Sequence, residues 1–170
     1  MAAVLIRRET AGDIEKIAEV HRAAFPGDEP IEVGLVDALR ASDAWLPELS
    51  LVALDGDRLV GHVVCTRAHL AGRPALGLGP LGVLPDTQRS GVGKALMHAV
   101  LGAADALGEP LVVLLGHTDY YPRFGFERAA KLGIIPTDGA WGDAFQARTL
   151  STYDPSLRGE FVYAGPFNDL

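Results

Sequence analysis

The residues that most clearly carry chemistry form one short loop: Gln88, Arg89, Ser90, Gly91, Val92 and Gly93. The loop follows a strand-like run and precedes a helix-like pattern. A helix start leaves about four backbone N–H groups unpaired, and its dipole favours negative charge there. Glycines 91 and 93 remove side chains, so an anion can approach these amides, while Arg89 and Lys94 add positive charge. The loop therefore predicts an anion site.

Two well-known phosphate-binding patterns do not fit this loop. A nucleotide P-loop needs a hydroxyl residue after its lysine, but Ala95 follows Lys94, and Gln88 stands where the first glycine belongs. The dinucleotide pattern G-x-G-x-x-G needs a small residue at its last position, where this chain has Leu96. Neither nucleotide interpretation is therefore favoured.

The stretch before the loop, residues 75–85, predicts an irregular strand. Its large apolar residues are two apart at Leu76 and Leu78 and again at Leu81 and Val83, so the alternation slips by one at Gly79-Pro80. Proline cannot donate to a central ladder, and bulges often lie beside active sites. The slip predicts a β-bulge. An edge strand with a proline kink is the alternative.

The elements around the loop follow from the hydrophobic pattern. Thr10 and Asp13 have capping-box spacing at the start of a first helix. After the loop, a helical pattern at 91–107 leads into the apolar run Leu111–Leu115, which predicts a βαβ unit with parallel strands. The other predicted elements are strands near 4–7, 49–54, 59–69, 127–130 and 144–150, a helix at 31–41 and a short helical stretch at 121–124. Together they predict a mixed α/β fold.

Composition limits the class of protein. The chain has 170 residues, 48% of them hydrophobic and 22% charged, which favours one domain with a substantial core. A net charge of −7 argues against nucleic acid and anionic membranes as partners. No apolar run approaches the roughly 18 residues of a membrane span, and the first residues do not resemble a signal peptide. The chain has a single cysteine, Cys65, which excludes an internal disulfide and therefore favours a reducing, cytoplasmic location. Cys65 lies in an apolar strand and is expected in the core.

Taken together, these motifs resemble the GCN5-related N-acetyltransferase (GNAT) superfamily. Val83-Leu84-Pro85 followed by Gln88 to Gly93 matches its main signature, and YYPRFGFE at 120–127 resembles a second one. The combination with GLGPLGVLP and the tail RGEFVYAGPF is similar to a bacterial subgroup of small-molecule acetyltransferases. The resemblance implies one N-acetyltransferase domain over residues 1–170, with 151–170 as a C-terminal extension. It also implies a mostly antiparallel sheet, in which a bulge splays apart two parallel strands.

The resemblance implies acetyl-CoA as co-substrate and no metal. The loop amides from Arg89 to Lys94 would hold the pyrophosphate. Backbone groups of Leu81 and Val83 would pair with the pantetheine arm, and an amide there would polarise the thioester carbonyl. Tyr121 matches the frequent general acid of the family, four residues before Gly125. Because Pro122 disfavours the α region at Tyr121, Tyr120 is the alternative acid.

The general base is left open by the sequence. Residues 76–84 contain no carboxylate, which excludes a base on that strand. Glu29 and Glu32 lie in the segment where the resemblance puts the acceptor, and His117 follows the buried strand. Each of these three is a candidate for the base or for the acceptor site, against the simpler interpretation of a solvated side chain.

The sequence thus predicts direct transfer of an acetyl group from acetyl-CoA to a primary amine of a small molecule or peptide. The alternatives are a catalytically weak acyl-CoA-binding module and a transferase of longer acyl groups. A homodimer is left open, as is the role of the tail.

Overall fold

The computed structural model describes residues 3–170. Within this range the chain forms a mixed α/β fold. The helices are α1 (Ile14–Ala24), α2 (Ile31–Arg40) and α3 (Val92–Ala106). The strands are β1 (Leu5–Arg8), β2 (Ser50–Asp55), β3 (Arg58–Leu70), β4 (Arg73–Val83), β5 (Leu111–Leu115), β6 (Glu127–Arg128), β7 (Ile134–Ile135), β8 (Phe145–Thr149) and β9 (Gly159–Val162).

The sheet has the order β1-β2-β3-β4-β5-β8-β6. Neighbours along this path are antiparallel except β4 and β5, which are parallel and connected through α3. This confirms the predicted mostly antiparallel sheet with one βαβ unit. The end of β3 also pairs with β9, which in turn pairs in parallel with the short β7. The sequence pattern did not indicate β7.

Alternate residues of the central strands face two helical layers. In β2, Leu51 and Ala53 join a core under α3 that includes Leu96 and Val100. Val52, on the opposite face, packs with Ile17 of α1. The apolar run of β5 is buried on both faces as far as Leu114, as its composition predicts. Along the described chain, none of the helices has the length and apolar character needed to cross a bilayer.

The first helix begins at the predicted capping pair. The backbone N–H of Thr10 donates to the Asp13 carboxylate at 2.7 Å, and Arg7 binds the same carboxylate through two nitrogens. A turn of 3₁₀ helix, Ala11–Asp13, leads from this cap into α1. The cap fixes where α1 starts, and therefore which residues α1 presents to the sheet and to the site at its far end.

Candidate active site

The centre of the site is a gap between β4 and β5. These strands pair only at Leu76 with Val112 and at Gly77 with Val113. Beyond that point β4 contains the predicted bulge: its pairing with β3 passes from Cys65–Leu78 to Val63–Leu81, which inserts one extra residue at Gly79-Pro80. The edge-strand alternative is wrong, because β4 lies between β3 and β5.

Because of the register between β3 and β4, the backbone N–H and C=O groups of Leu81 and Val83 face this gap. The N–H of Leu84 donates to the Val60 carbonyl at 2.9 Å, and Val83 and Leu81 are paired with Gly61 and Val63. Hydrogen-bonded and non-hydrogen-bonded pairs alternate in an antiparallel ladder. The peptide groups of Leu81 and Val83 therefore point away from β3, to the side where β5 has separated.

The glycine-containing loop lies at one end of the gap. Arg89 and Gly91 both have left-handed backbone, with φ of 65° and 93°, and α3 begins directly afterwards. The first main-chain bond of α3 runs from the Ala95 N–H to the Gly91 carbonyl at 2.9 Å, so the amides before Ala95 belong to the unpaired first turn. They border a cavity of about 680 Å³.

The predicted loop residues have different positions. Gln88, Arg89, Gly91, Gly93 and Lys94 line the large cavity together with Leu81 and Val83. The Gln88 side chain donates to the Val83 carbonyl at 3.0 Å, which ties the loop to the end of β4.

Ser90 and Val92 face elsewhere. The Ser90 hydroxyl donates to the Thr87 carbonyl, and the Val92 side chain is buried in the core under α3. Only the backbone amides of these two residues are therefore available to an anion.

Arg123 is a residue of the cavity that sequence reasoning missed. Its guanidinium lies 4.6 Å from the centre of the Tyr120 ring, and its Nε donates to the Tyr120 carbonyl at 2.9 Å. With Arg89 and Lys94 it makes the lining of the large cavity cationic. The signal was available in the motif YYPRFGF, since an arginine two residues after Tyr121 projects from the same 3₁₀ turn.

The two tyrosines occupy different parts of the site. Tyr120 lines only the large cavity, and its hydroxyl lies 3.1 Å from where a Cβ on Gly93 would be. Tyr121 lines both that cavity and the gap, and its ring covers Gly116 so closely that a Cβ there would clash with the ring. Burial, with a smaller effect from Tyr120, raises the pKa of Tyr121 to about 12, so its phenol stays protonated. Despite Pro122, Tyr121 begins a 3₁₀ turn.

The three candidates for the base are separated by the fold. His117 and Glu32 both line the gap, which has a volume of about 380 Å³. Glu29 does not: it is exposed and forms an ion pair with Arg22 at 3.1 Å, over a groove between α1 and α2. The structure therefore brings Glu32 and His117 together with Tyr121 and leaves Glu29 outside.

Three cavities meet in line along the gap. The large cavity beside the glycine-containing loop, called the loop cavity from here on, shares Phe25, Leu81, His117 and Tyr121 with the gap. On its other side the gap shares Glu32, Leu78, Gly79, Pro80 and Leu115 with a third cavity of about 540 Å³. We call this third cavity the distal chamber. A molecule in the loop cavity and another in the distal chamber would therefore meet beside Tyr121.

Cys65 is not part of this site. It is fully buried in the core under α3, and burial raises the pKa of its thiol, with a further contribution from Glu109. The expectation of a core cysteine is confirmed. His62, on β3, is also fully buried and is hydrogen-bonded to His21 and Ser50 rather than exposed on the hairpin.

A parallel strand pair opened by a bulge, with a helix N-terminus across its mouth, defines a GNAT-type acyltransferase. This chain belongs to the GNAT acetyltransferase family: the model for the acetyltransferase (GNAT) domain matches residues 5–129. The chain is 38% identical to the uncharacterized N-acetyltransferase YjhQ of Escherichia coli K12 over 122 residues, 69% of this chain and 66% of that protein. It is 32% identical to the uncharacterized N-acetyltransferase YhbS of the same organism over 159 residues, 92% of each chain.

Solved structures of the family share the whole architecture. YhbS from Escherichia coli, crystallised in complex with CoA, superposes with a TM-score of 0.91 at 29% identity and covers 99% of this chain and 93% of its own. A GNAT acetyltransferase from Brucella melitensis in complex with acetyl-CoA gives a TM-score of 0.78 at 30% identity, covering 98% of this chain and 99% of its own.

Proposed function

We propose that this protein transfers the acetyl group of acetyl-CoA directly to a primary amine of a small molecule or peptide. The observation that carries the proposal is the line of three cavities, with arginines and lysine at one end and Glu32 at the other. An anionic donor and a cationic acceptor match these two ends, and holding both in one gap supplies much of the rate.

The residues of the loop cavity fit a CoA donor. The unpaired amides of the first turn of α3 suit a pyrophosphate, and Arg89, Lys94 and Arg123 neutralise its charge. The N–H groups of Leu81 and Val83 and the Leu81 carbonyl face the gap and can pair with the extended amide arm of the donor as an added strand would, while the Val83 carbonyl already accepts from Gln88. Acetyl-CoA supplies the activated thioester carbonyl. A backbone N–H directed at that oxygen is worth roughly 3 kcal/mol in the transition state.

Direct transfer is supported by the lining of the gap. Among the described residues that border the three cavities there is no serine or cysteine to carry the acetyl group. The amine nitrogen would attack the thioester carbon, and the carbon–sulfur bond would then break. The leaving sulfur would take a hydrogen bond from the Tyr121 hydroxyl. With its pKa at about 12, Tyr121 is a persistent donor rather than a strong acid, because full proton transfer to a thiolate of pKa ~8.5 is uphill.

Glu32 is the residue we assign to the ammonium proton. Glu32 borders both the gap and the distal chamber, so an amine that enters from the chamber passes this residue before reaching the carbonyl. Deprotonating a typical alkylamine at neutral pH costs about 4 kcal/mol. His117, which lines the gap on the donor side, is the second group able to take this proton through water.

Steady-state kinetics test this function. CoA release from acetyl-CoA would be measured with and without amines, and both substrates would be varied together. Direct transfer predicts amine-dependent release, N-acetylated product and intersecting double-reciprocal lines. Parallel lines would indicate an acetylated enzyme instead. Tight acetyl-CoA binding with no amine-dependent release would favour the acyl-CoA-binding module, and faster release from a longer thioester would favour the longer acyl group.

A further inference from the structure

The wall of the distal chamber is an aromatic row. The rings of Trp141 and Tyr163 have centres 5.7 Å apart at 72°, and those of Tyr163 and Phe167 are 4.9 Å apart. All three line the chamber, with Leu78 and Pro80 on the side that joins the gap. The first pair is edge to face and the second is tilted at 39°, so the wall presents both ring faces and ring edges, which suits a further apolar ring.

This wall is held in place from behind. The Tyr163 ring lies directly on β4, since a Cβ at Gly77 would meet it at 2.7 Å. Phe167 packs in a cluster with Leu35 and Leu39 of α2, and Trp141 lies 5.3 Å from the buried ring of Phe145. Because every ring has a packed neighbour, the chamber keeps its shape without a ligand and little ordering entropy is lost on binding.

The charged side chains that line the distal chamber are acidic. Glu32 and Asp138 line it, and among the described residues bordering the chamber or the gap there is no lysine or arginine. Asp138 is fixed, because its Oδ1 accepts the Ala140 N–H at 2.9 Å. A carboxylate or phosphate on the acceptor would therefore be repelled without a cation to pair with.

From these observations we infer that the acceptor is a primary amine that carries an apolar ring and no anionic group, its ring against Trp141, Tyr163 and Phe167. The inference rests on the proposed function and specifies its substrate class. Free amino acids are excluded by their carboxylate, whereas arylalkylamines and amino acid amides have the charge and shape that the chamber accepts.

A set of four matched amines tests the inference on the 170-residue chain. Phenethylamine and propylamine differ in the ring, and phenylalanine and phenylalaninamide differ in the carboxylate. We expect kcat/KM for phenethylamine to exceed that for propylamine at least about tenfold, from burial of the ring. Phenylalaninamide should exceed phenylalanine by a similar factor.

Two variants test whether the aromatic wall causes the preference for a ring and whether the acidic charge causes the discrimination against a carboxylate. Trp141→Leu should remove most of the preference for phenethylamine over propylamine and leave the KM for acetyl-CoA unchanged. Asp138→Asn keeps the acceptor oxygen for Ala140 and should reduce the discrimination against phenylalanine several-fold. Tyr153→Leu and Asp143→Asn are the controls, because neither residue borders the three cavities.

The outcomes separate the two levels of the proposal. Equal rates with phenethylamine and propylamine, or with phenylalanine and phenylalaninamide, would overturn the inference while amine-dependent CoA release upheld the proposed function. If no amine released CoA, the function would fail, and calorimetry in the presence of CoA would then decide the inference alone. Saturable binding of phenylalaninamide but not phenylalanine would support it, and binding of neither would overturn it.

Discussion

The Nε2 atom of His21 lies 2.8 Å from Nδ1 of His62, inside the protein, with both rings fully buried. His62 Nε2 in turn lies 2.8 Å from the Ser50 hydroxyl oxygen, and that hydroxyl donates to the Glu9 carboxylate. Since Glu9 accepts the Ser50 proton, His62 must donate from Nε2 and accept at Nδ1, so His21 donates from Nε2. Among residues 3–170 its Nδ1 has no hydrogen-bond partner, and it faces Gly82 of β4, where a Cβ would be 2.6 Å away.

This buried row of hydrogen bonds, from His21 to Glu9, predicts that the folded protein loses stability in mild acid. Burial first, then His62 and Arg40, lowers the pKa of His21 to about 3, against about 6.5 in the unfolded chain. Between these values the unfolded chain binds a proton that the folded one does not. The contribution of the neutral His21 side chain to the free energy of unfolding is therefore fully present above about pH 6.5, and it is lost as the pH falls towards 3. From pH 6.5 to 5, His21 alone accounts for a loss of up to about 2 kcal/mol, measurable by urea denaturation.

His21→Gln is the matched test of this decline, because the glutamine amide can still donate to His62 but does not titrate. The variant should be less stable at pH 7.5 and should lose less stability between pH 6.5 and 5. His69→Gln, at an exposed position of the same sheet, should leave the curve unchanged. A His21→Gln curve parallel to that of the parent protein would contradict the assignment.

Glu9 extends the same acid dependence to lower pH. Burial alone would raise the pKa of its carboxyl, but hydrogen bonds from His62, Arg40 and Ser50 outweigh it and lower the pKa to about 2. The stability from Glu9 is present above its unfolded pKa of about 4.5 and is lost as the pH falls towards 2. We therefore expect a second decline below pH 4.5, visible by circular dichroism. Glu9→Gln should reduce this decline at the cost of a lower starting stability, but should not abolish it, because the hydrogen bond from Arg7 also lowers the pKa of the Asp13 carboxyl to about 2.

Tyr121→Phe should slow the chemical step. Removing the hydroxyl leaves the leaving sulfur without its donor, and we expect kcat to fall by about 100-fold, at the low end of general acid effects, with little change in the KM for acetyl-CoA. The pKa of about 12 means that the parent enzyme should show no alkaline loss from this residue below about pH 11.

Tyr120→Phe is the control for that experiment, because the Tyr120 hydroxyl lies over Gly93 in the loop cavity and not in the gap. This variant should raise the KM for acetyl-CoA more than it lowers kcat. The opposite pattern, with kcat lost in Tyr120→Phe and kept in Tyr121→Phe, would exchange the roles of the two residues.

Gly93→Ala should weaken donor binding. Its new methyl group would lie 3.1 Å from the Tyr120 hydroxyl, in the space that an anion needs at the helix start. We expect the KM for acetyl-CoA to rise at least about tenfold. Gly102→Ala lies in the same helix, and apart from its own helix backbone and chain neighbours no described atom lies within 4 Å of the new carbon. It should keep activity and add about 0.5–1 kcal/mol of stability. Equal KM values for both variants would contradict the loop assignment.

Glu32→Gln should lower kcat/KM at neutral pH. The kcat/KM of the variant should rise again as the pH approaches the amine pKa near 10, because more of the amine is then already neutral. We expect a loss of about 100-fold at pH 7. Glu29→Gln removes an equivalent charge from the groove outside the gap and should change the rate by less than about twofold. A loss at Glu32 that is the same at pH 7 and pH 10 would point to binding rather than proton removal.

The sequence was a good guide to the elements because their signals are local. The bulge at Gly79-Pro80 follows from a one-residue slip in alternation, and the cap at Thr10 follows from its spacing to Asp13. The short strand β7 gave no such signal, because two residues are too few to show a period and the strand depends on its pairing with β9.

By itself, the sequence determined the glycine-containing loop before α3, the bulged strand and the family they belong to, since these depend on glycines, a proline and periodicity within a few neighbouring residues. Tertiary structure decided which distant side chains meet. It separated Glu32 from Glu29, although they are three residues apart, because Glu29 lies before α2 and Glu32 lies on its first turn, facing the gap. It also placed Asp138, Trp141 and Tyr163 against β4, and it paired His21 with His62. Such contacts depend on how helices and loops pack across the sheet, which no local spacing encodes.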